Sequence, residues 1–296
     1  MKTFKQFINE KDKEKDEEYA VLSDVIHFKS GTYPEHSHSQ VPESKPSVNN
    51  DKNRYVKEEA APRKFEDWKN TNDNSHLGDD HEGVANSLRH TESPLYSGGE
   101  SNPKYEAQRN AISNYTRVSN ELNSGLMGKN KDLSHPDSWN KSGSKYWDKP
   151  MSYKDALGGL DQTTEEHRAK QDHVLYSGLT FDPRKNLQGK NKFTSPAFIS
   201  ATHSKDVATK FTKPVLNDDA KGFGASLFKK NKTHHIMHIN VPAGARAMNI
   251  SPLSHHEDEH ESLLGRNSKF EYSHSEHHVD EKGNHYLIHH VNLVND

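Results

Sequence analysis

A series of short apolar runs separated by turn residues, in residues 173–296, most constrains what this chain can fold into. Residues 233–241 alternate apolar and polar side chains, as a half-buried strand does, and stop at a Pro-Ala-Gly turn signal. Residues 285–294 alternate in the same way. Other short runs predict strands at residues 173–176, 196–200, 248–250, 262–264 and 269–272. The C-terminal half is therefore predicted to be a mixed or antiparallel β core.

Helices are predicted before these strands. Apolar side chains recur at spacings of three and four in residues 105–126, which is typical of an amphipathic helix. The apolar face consists of Ile112, Tyr115, Val118, Leu122 and Leu126. Residues 161–170 predict an exposed helix with Thr163 or Thr164 as its N-cap, and Ser204 is expected to cap a further short helix. Helices followed by many short strands indicate the α+β class.

Composition limits how much of the chain can pack. Only 29% of the 296 residues are hydrophobic, which is too little for a core along the whole length. We therefore predict an ordered domain at residues 104–296, preceded by a disordered or linker region at residues 11–103. A net charge of −3 argues against a specific nucleic-acid partner, and no apolar run is long enough for a membrane partner. The lack of cysteine excludes disulfides and thiol nucleophiles.

The first ten residues, MKTFKQFINE, place Phe4, Phe7 and Ile8 on one face of a short amphipathic helix. The stretch resembles the leader of proteins packaged inside the heads of tailed bacteriophages. In such leaders, a site similar to the INE that ends at Glu10 is cut by the prohead protease. The resemblance implies a mature chain beginning at Lys11, contact with the phage head scaffold and prohead protease, and a location in the virion head and then the host cytoplasm.

An acidic cluster, SHHEDEHESLL in residues 254–264, contains two acids separated by one residue, Glu259 and Glu261, directly before an apolar pair. One interpretation is a solvated loop. The other is a strand beginning at Glu261, in which case the two carboxylates point to the same side because side chains alternate along a strand. Two such carboxylates suit chemistry that stabilises positive charge and positions a nucleophile.

Three motifs in order resemble the ADP-ribosyltransferases with an Arg–Ser–Glu signature, a family that includes bacterial toxins and phage head-packaged enzymes. The ISNYTRVSNELNSGL of residues 112–126 is similar to the family's first helix. The PAFISATHSKDVATKF of residues 196–211 is similar to its Ser-Thr-Ser strand and following helix, with Ala201 departing at the second place. HHIMHINVPAG, followed by EHESLL, is similar to its Glu-x-Glu region. The resemblance covers residues 105–296 and implies an ADP-ribosyltransferase-like fold.

The resemblance implies an enzyme that uses NAD as co-substrate and modifies arginine on a host protein, with the transcription machinery as the expected target class. Glu261 would hydrogen-bond the ribose, and this interaction would become more favourable as positive charge develops on the ribose. Glu259 would orient and help deprotonate the attacking group, and Ser200 would hold the rotamer of Glu261. His255 and His256 would lie in the loop that faces the protein substrate.

The expected cofactor-binding residues are Tyr176, Ser177, Gly178 and Thr202. Gly178 would let the backbone approach the nicotinamide amide, since glycine has no Cβ. Ser177 stands where the family usually has an arginine that grips the phosphates, and a neutral hydroxyl cannot replace that charge. Nearby cations that could substitute are Arg168, Arg184 and Lys185. The alternative interpretation is a catalytically inactive internal head protein that retains the fold for structural or binding roles.

No metal is expected, although twelve of the 22 histidines lie from His234 onward. The chain has no HExxH pattern, and these histidines are expected to face solvent.

Overall fold

The strands form one mixed sheet in a computed structural model of the chain, which describes residues 20–21, 62–77, 93–97, 102–127, 151–187, 190–216 and 232–295. In chain order they are β1 (Ala20–Val21), β2 (Arg63–Lys64), β3 (His173–Leu179), β4 (Lys192–Ser195), β5 (Ile199–Thr202), β6 (Val215–Leu216), β7 (Lys232–Val241), β8 (Ala247–Asn249), β9 (Glu261–Leu264), β10 (Ser268–Val279) and β11 (His285–Val294). Across the sheet the order is β1-β4-β10-β11-β7-β3-β5-β9-β8, with β2 beside β10 and β6 beside β7. The predicted leader and most of the predicted linker lie outside the described residues.

The two parts of the sheet meet at one residue pair, Tyr176 opposite Thr202, where β3 touches β5. β3 pairs with β7 along its whole length, whereas β5 pairs with β9. In the second pairing Thr202 is also opposite Glu261. This junction therefore brings the YSG segment of β3, the SAT segment of β5 and the first residue of β9 side by side.

Five helices accompany the sheet in the described residues: α1 (Phe65–Lys69), α2 (Pro94–Ser97), α3 (Pro103–Leu126), α4 (Tyr153–Glu166) and α5 (Lys205–Phe211). Asn102 caps α3 by accepting a hydrogen bond from the Lys104 amide, and the helix kinks at Val118. The predicted apolar face of α3 packs with α4, Phe198 and Leu263 in one core cluster. The α+β class predicted from the sequence is confirmed.

Helix α4 differs from the predicted helix at residues 161–170. It begins earlier, with Ser152 as N-cap, because Ser152 accepts a hydrogen bond from the Asp155 amide. Thr163 and Thr164 are buried in its last turns and donate their hydroxyls to carbonyls four residues before them, so neither is the N-cap. Ser204, by contrast, caps α5 as predicted, accepting from the Val207 amide.

Two short segments inside the predicted linker, residues 62–77 and 93–97, pack onto the domain. Phe65 stacks on Tyr286 at 3.7 Å between ring centroids, and Trp68 is buried beside Tyr176. Leu95 is fully buried. The linker prediction is wrong for these residues, because their aromatic and apolar side chains complete clusters whose other members come from helices and strands later in the chain.

Among the described residues, no helix has the length and apolar content that crossing a bilayer requires.

Candidate active site at the β5–β9 pair

The first residue of β9, Glu261, is a buried carboxylate held by Ser200. Only 3% of Glu261 is exposed, and Ser200 is 1% exposed. Burial raises the pKa of Glu261 to about 7; the hydrogen bond from Ser200 works against this shift and the charge of Glu259 adds to it. A buried carboxylate with a pKa near neutrality ionises readily when a positive charge lies beside it, and such groups cluster at functional sites.

Helix α3 supports this pair through a buried polar chain. The hydroxyls of Ser200 and Tyr115 hydrogen-bond at 2.9 Å. Asn123 donates to the Tyr115 oxygen at 3.3 Å and to the Phe198 carbonyl at 3.1 Å. Burial raises the pKa of Tyr115 above its ordinary range, so its hydroxyl stays protonated. The chain therefore fixes the Ser200 side chain that in turn holds Glu261.

Sequence reasoning missed the role of Tyr115 and Asn123. The helical pattern predicts Tyr115 only as part of the apolar face of the helix, where its ring does pack. The signal that would have found the pair is a polar residue on that face, since Asn123 follows Leu122 directly and is 0% exposed. Buried amides need hydrogen-bond partners, and a tyrosine two turns earlier on the same face is a suitable one.

Glu259 does not lie on the strand with Glu261. It ends a 3-10 turn at Glu257–Glu259, and His260 between the two acids has a left-handed backbone with φ 49°. The expectation that strand alternation aligns the two carboxylates is therefore wrong. Glu259 is half-buried, and burial raises its own pKa. Its charge still raises the pKa of Glu261, so the two acids interact across the turn.

His255 anchors the loop before β9 to helix α3. Its Nε2 lies 2.8 Å from Ser113 Oγ, and Arg117 donates to its Nδ1 at 3.2 Å. The His255 amide also donates to Thr116 Oγ1 at 3.4 Å. His256, the other histidine expected to face a protein substrate, is half-buried. The loop that carries Glu259 is thus held against the helix that supports Ser200.

Ser177, which replaces the family's arginine, is fully buried and has a structural partner. Its hydroxyl donates to the Ser200 carbonyl at 2.8 Å. Arg184 is held by Asp182, with Nε 3.0 Å from Oδ1 and Nη2 2.8 Å from Oδ2. Arg168 donates to the Gly244 carbonyl at 3.0 Å and pairs with a glutamate of α4. The Lys185 side chain lies outside the described residues.

The other expected cofactor-binding residues are engaged within the fold. A Cβ at Gly178 would lie 2.3 Å from the Ala208 carbonyl oxygen, so glycine is required there by the packing of α5. Tyr176 is buried beneath α1 and donates its hydroxyl to Asp73. Thr202 is fully buried and its Oγ1 accepts from the Ser204 amide at 3.1 Å. Contact of these residues with NAD stays a prediction.

The residues of the candidate site fit the ribose of NAD better than they fit its pyrophosphate. A buried carboxylate held by a hydroxyl, as in Glu261 and Ser200, suits a ribose on which positive charge develops. The pyrophosphate is not matched at Ser177, where a guanidinium would be needed for a bidentate contact.

Residues 64–295 match the family model described as ADP-ribosyltransferase exoenzyme, and the chain therefore belongs to that family. The match supports NAD-dependent ADP-ribosyl transfer as the class of reaction. It also begins at the end of β2, in agreement with the packing of residues 62–77 onto the domain.

Several solved structures are similar to this chain. Plx2a, an ADP-ribosyltransferase toxin from Paenibacillus larvae, is 15% identical, with 64% of this chain and 87% of that chain covered and a TM-score of 0.45. C3stau2 from S. aureus with NAD is 15% identical, with coverages of 73% and 94% and a TM-score of 0.47. Vis toxin from Vibrio splendidus is 15% identical, with coverages of 72% and 82% and a TM-score of 0.44. No curated protein sequence matches the chain.

Proposed function

We propose that this protein transfers ADP-ribose from NAD to arginine side chains of another protein. The observation that carries the proposal is the buried Glu261 carboxylate, held by Ser200 and lying within electrostatic reach of Glu259. Burial of an ionised carboxylate costs free energy unless the group is paired and hydrogen-bonded, and acids with strongly shifted pKa values cluster at functional sites.

Glu261 would act in its ionised form. NAD supplies the nicotinamide–ribose bond, whose cleavage builds positive charge on the ribose. In a buried site with a low effective dielectric, a fixed carboxylate stabilises such charge more than water does. The hydrogen bonds from Tyr115 to Ser200 and from Ser200 to Glu261 keep the carboxylate in one position, so little reorganisation is needed when the charge appears.

Glu259 supports arginine as the acceptor. A guanidinium carries a permanent positive charge and must be oriented and relieved of a proton before nitrogen can attack. Glu259 is half-buried at the turn before β9, and it adds the second negative charge of the site. In the family that this chain resembles, an acid at this place accompanies arginine modification.

The test is transfer of a label from NAD, with agmatine as a small guanidine acceptor and bacterial lysate as a source of protein acceptors. We expect Glu261→Gln to abolish both label transfer and NAD hydrolysis. Glu259→Gln is expected to retain hydrolysis and lose transfer to agmatine. Glu257→Gln, an exposed acid of the same turn, is the matched control and should behave as wild type. Absence of transfer by wild type, or equal transfer by Glu261→Gln, would refute the proposal.

A second candidate function, a catalytically inactive protein that retains the fold, is favoured by Ser177. Its hydroxyl is used to hold the Ser200 carbonyl, and the charge that would grip the phosphates is missing at that position. Calorimetric titration with NAD separates the two candidates. Saturable binding by wild type counts against the inactive protein, whereas no binding at millimolar NAD counts against the enzyme.

We further propose that the protein is carried in a phage head, processed by the prohead protease, and injected into the host cytoplasm to modify a host protein. The support is the leader-like sequence ending at Glu10, which lies outside the described residues. Mass spectrometry of the protein from purified virions tests this. A mature N-terminus at Lys11 is expected, and an intact Met1 in virions would contradict processing.

A further inference from the structure

A second cluster of titratable side chains lies on β10 and β11, away from the β5–β9 pair. His274 and His290 are directly opposite each other, and both face the carboxylate of Glu276. His274 Nε2 lies 3.7 Å from Glu276 Oε1, and His290 Nε2 lies 3.7 Å from Glu276 Oε2. His278 Nε2 is 3.2 Å from Glu276 Oε2. These four residues, here called the histidine cluster, correct the expectation that the C-terminal histidines simply face solvent.

We propose that the histidine cluster binds a first-row divalent transition metal such as Zn²⁺ through His274, Glu276 and His290. Two imidazoles and one carboxylate are a common ligand set for Zn²⁺, and imidazole selects such metals over Mg²⁺ or Ca²⁺. The candidate ligand atoms of the three residues all lie within 4.8 Å of one another. Solvent supplies the remaining coordination position, because 47% of the His274 side chain is exposed.

Metal binding requires the three side chains to move closer together. With bonds of about 2.0–2.1 Å, neighbouring ligand atoms of a tetrahedral zinc ion are roughly 3.4 Å apart. The two nitrogen–oxygen distances of 3.7 Å end on different oxygens of Glu276. The carboxylate must therefore turn so that one oxygen approaches both nitrogens, starting from ligand atoms that lie within 4.8 Å of one another. The His274 and His290 rings are now parallel, 4.3 Å between centroids, so one ring must turn to aim its lone pair at the ion. His274 can turn because it is the exposed member.

His290 gives an independent reason to expect a ligand. Its Nε2 is buried and has no hydrogen-bond partner within the part of the chain that the structure describes. A buried polar nitrogen without a partner costs free energy, and most such atoms in proteins are satisfied. The atom lies 3.7 Å from Glu276 Oε2, which is too far for a hydrogen bond and close enough for both groups to bind one metal ion.

Arg63 would compete with the metal. Its Nη1 donates to Glu276 Oε1 at 3.0 Å, and Arg63 lies on β2 opposite His278 of β10. A divalent ion on Glu276 would repel the guanidinium and take its acceptor oxygen. Metal binding is thus expected to weaken the attachment of β2, and removal of the Arg63 charge is expected to strengthen metal binding.

A buried group of Asp182, His235 and His289 is the competing location for a metal. Its candidate ligand atoms are already hydrogen-bonded: both carboxylate oxygens of Asp182 accept from the Arg184 guanidinium, and His235 Nδ1 lies 2.9 Å from His289 Nε2. A metal there would have to displace bonds of all three residues. In the histidine cluster only Glu276 would have to exchange partners, Arg63 and His278, and the Nε2 of His290 has no hydrogen-bond partner among the described residues, so the cluster is the better site.

The experiment is titration of the full-length protein, without a polyhistidine tag, with Zn²⁺ in competition with a chromophoric chelator. Visible absorption after Co²⁺ addition reports the coordination geometry. We expect one site, with His274→Ala and His290→Ala each lowering affinity at least about 10- to 100-fold. Arg63→Ala should raise the affinity several-fold. His277→Ala is the matched control, because His277 lies on the same strand and pairs with His285 instead, and its affinity should equal wild type.

Two results would overturn the assignment. One is the absence of stoichiometric Zn²⁺ or Co²⁺ binding by wild type. The other is binding that survives His274→Ala and His290→Ala but is lost in Asp182→Asn, which would place the ion in the buried group. Because His274 is largely exposed, its variant is expected to fold, and circular dichroism checks that it does.

Discussion

Replacing Glu261 with glutamine is expected to stabilise the folded protein at neutral and alkaline pH, although it removes the carboxylate proposed to act on NAD. In the folded protein, burial raises the pKa of Glu261 from 4.5 to about 7. In the unfolded chain the side chain is in water and its pKa is the ordinary one. The folded protein therefore holds the Glu261 proton more tightly than the unfolded chain does.

The sign and size of the effect follow from this difference. Below about pH 4.5 the carboxyl is protonated in both states, and its ionisation costs no stability. As pH rises from 4.5 to 7 the unfolded chain loses the proton first, so the free energy of unfolding falls by about 1.4 kcal/mol for each pH unit. Above pH 7 the accumulated loss is about 3 kcal/mol. Glutamine stays neutral and escapes this loss, and its amide can still bond Ser200.

Urea unfolding at pH 5, 6, 7 and 8, followed by tryptophan fluorescence, measures the difference. Glu261→Gln should be more stable than wild type by less than about 1 kcal/mol at pH 5 and by about 3 kcal/mol at pH 8. Glu257→Gln, exposed in the same loop, is the control and should follow wild type at every pH. A variant that is less stable than wild type at pH 8, or a difference independent of pH, would refute the reasoning.

Three further outcomes are expected. The kcat/KM for NAD should rise with pH around 7 as Glu261 ionises. Glu259→Gln should move that rise to lower pH, because the Glu259 charge raises the pKa of Glu261. A pH profile that does not move in this variant contradicts the electrostatic coupling of the two acids. Tyr115→Phe should lower kcat about fivefold with little change in KM, because it removes one positioning hydrogen bond of about 1 kcal/mol; wild-type kinetics would contradict this role. Gly178→Ala should cost more than about 3 kcal/mol in thermal unfolding because its Cβ would meet a backbone oxygen at 2.3 Å, whereas Gly158→Ala has open space around it and should not destabilise.

Local alternation predicted where most strands lie but not how far they run. The strand predicted at residues 173–176 continues to Leu179, because β7 offers hydrogen-bonding partners through Gly178 and Leu179. The strand predicted at residues 269–272 continues to Val279 through the polar sequence SHSEHH. The polar side chains there show no apolar alternation, but β11 pairs with the segment on both sides of a register shift between Tyr272 and His274. Strand length in both cases is decided by the neighbouring strand.

The sequence predicts those residues of the candidate site that lie close together along the chain, and not those brought together only by folding. Glu259 and Glu261 stand out because two acids separated by one residue precede an apolar pair. The hydroxyl of Tyr115, which reaches Ser200 from 85 residues earlier, gives no local signal. Likewise, the sequence around Trp68 predicts a linker, because the residues that bury Trp68 come from strands and a helix far along the chain.

The free-energy cost of Glu261 bears on the choice between an enzyme and an inactive protein. Ser177 and Tyr115 both hold Ser200, one through its carbonyl and the other through its hydroxyl, and both bonds would remain with glutamine at position 261. A protein that needed only the fold would then be more stable at neutral pH by about 3 kcal/mol. That is a large share of a typical total of 5–15 kcal/mol. Maintaining the fold therefore gives no reason for a carboxylate at position 261, whereas stabilising positive charge on a bound ribose does. This supports an active enzyme over an inactive protein. The cation that binds the phosphates of NAD must then be sought at a position other than Ser177.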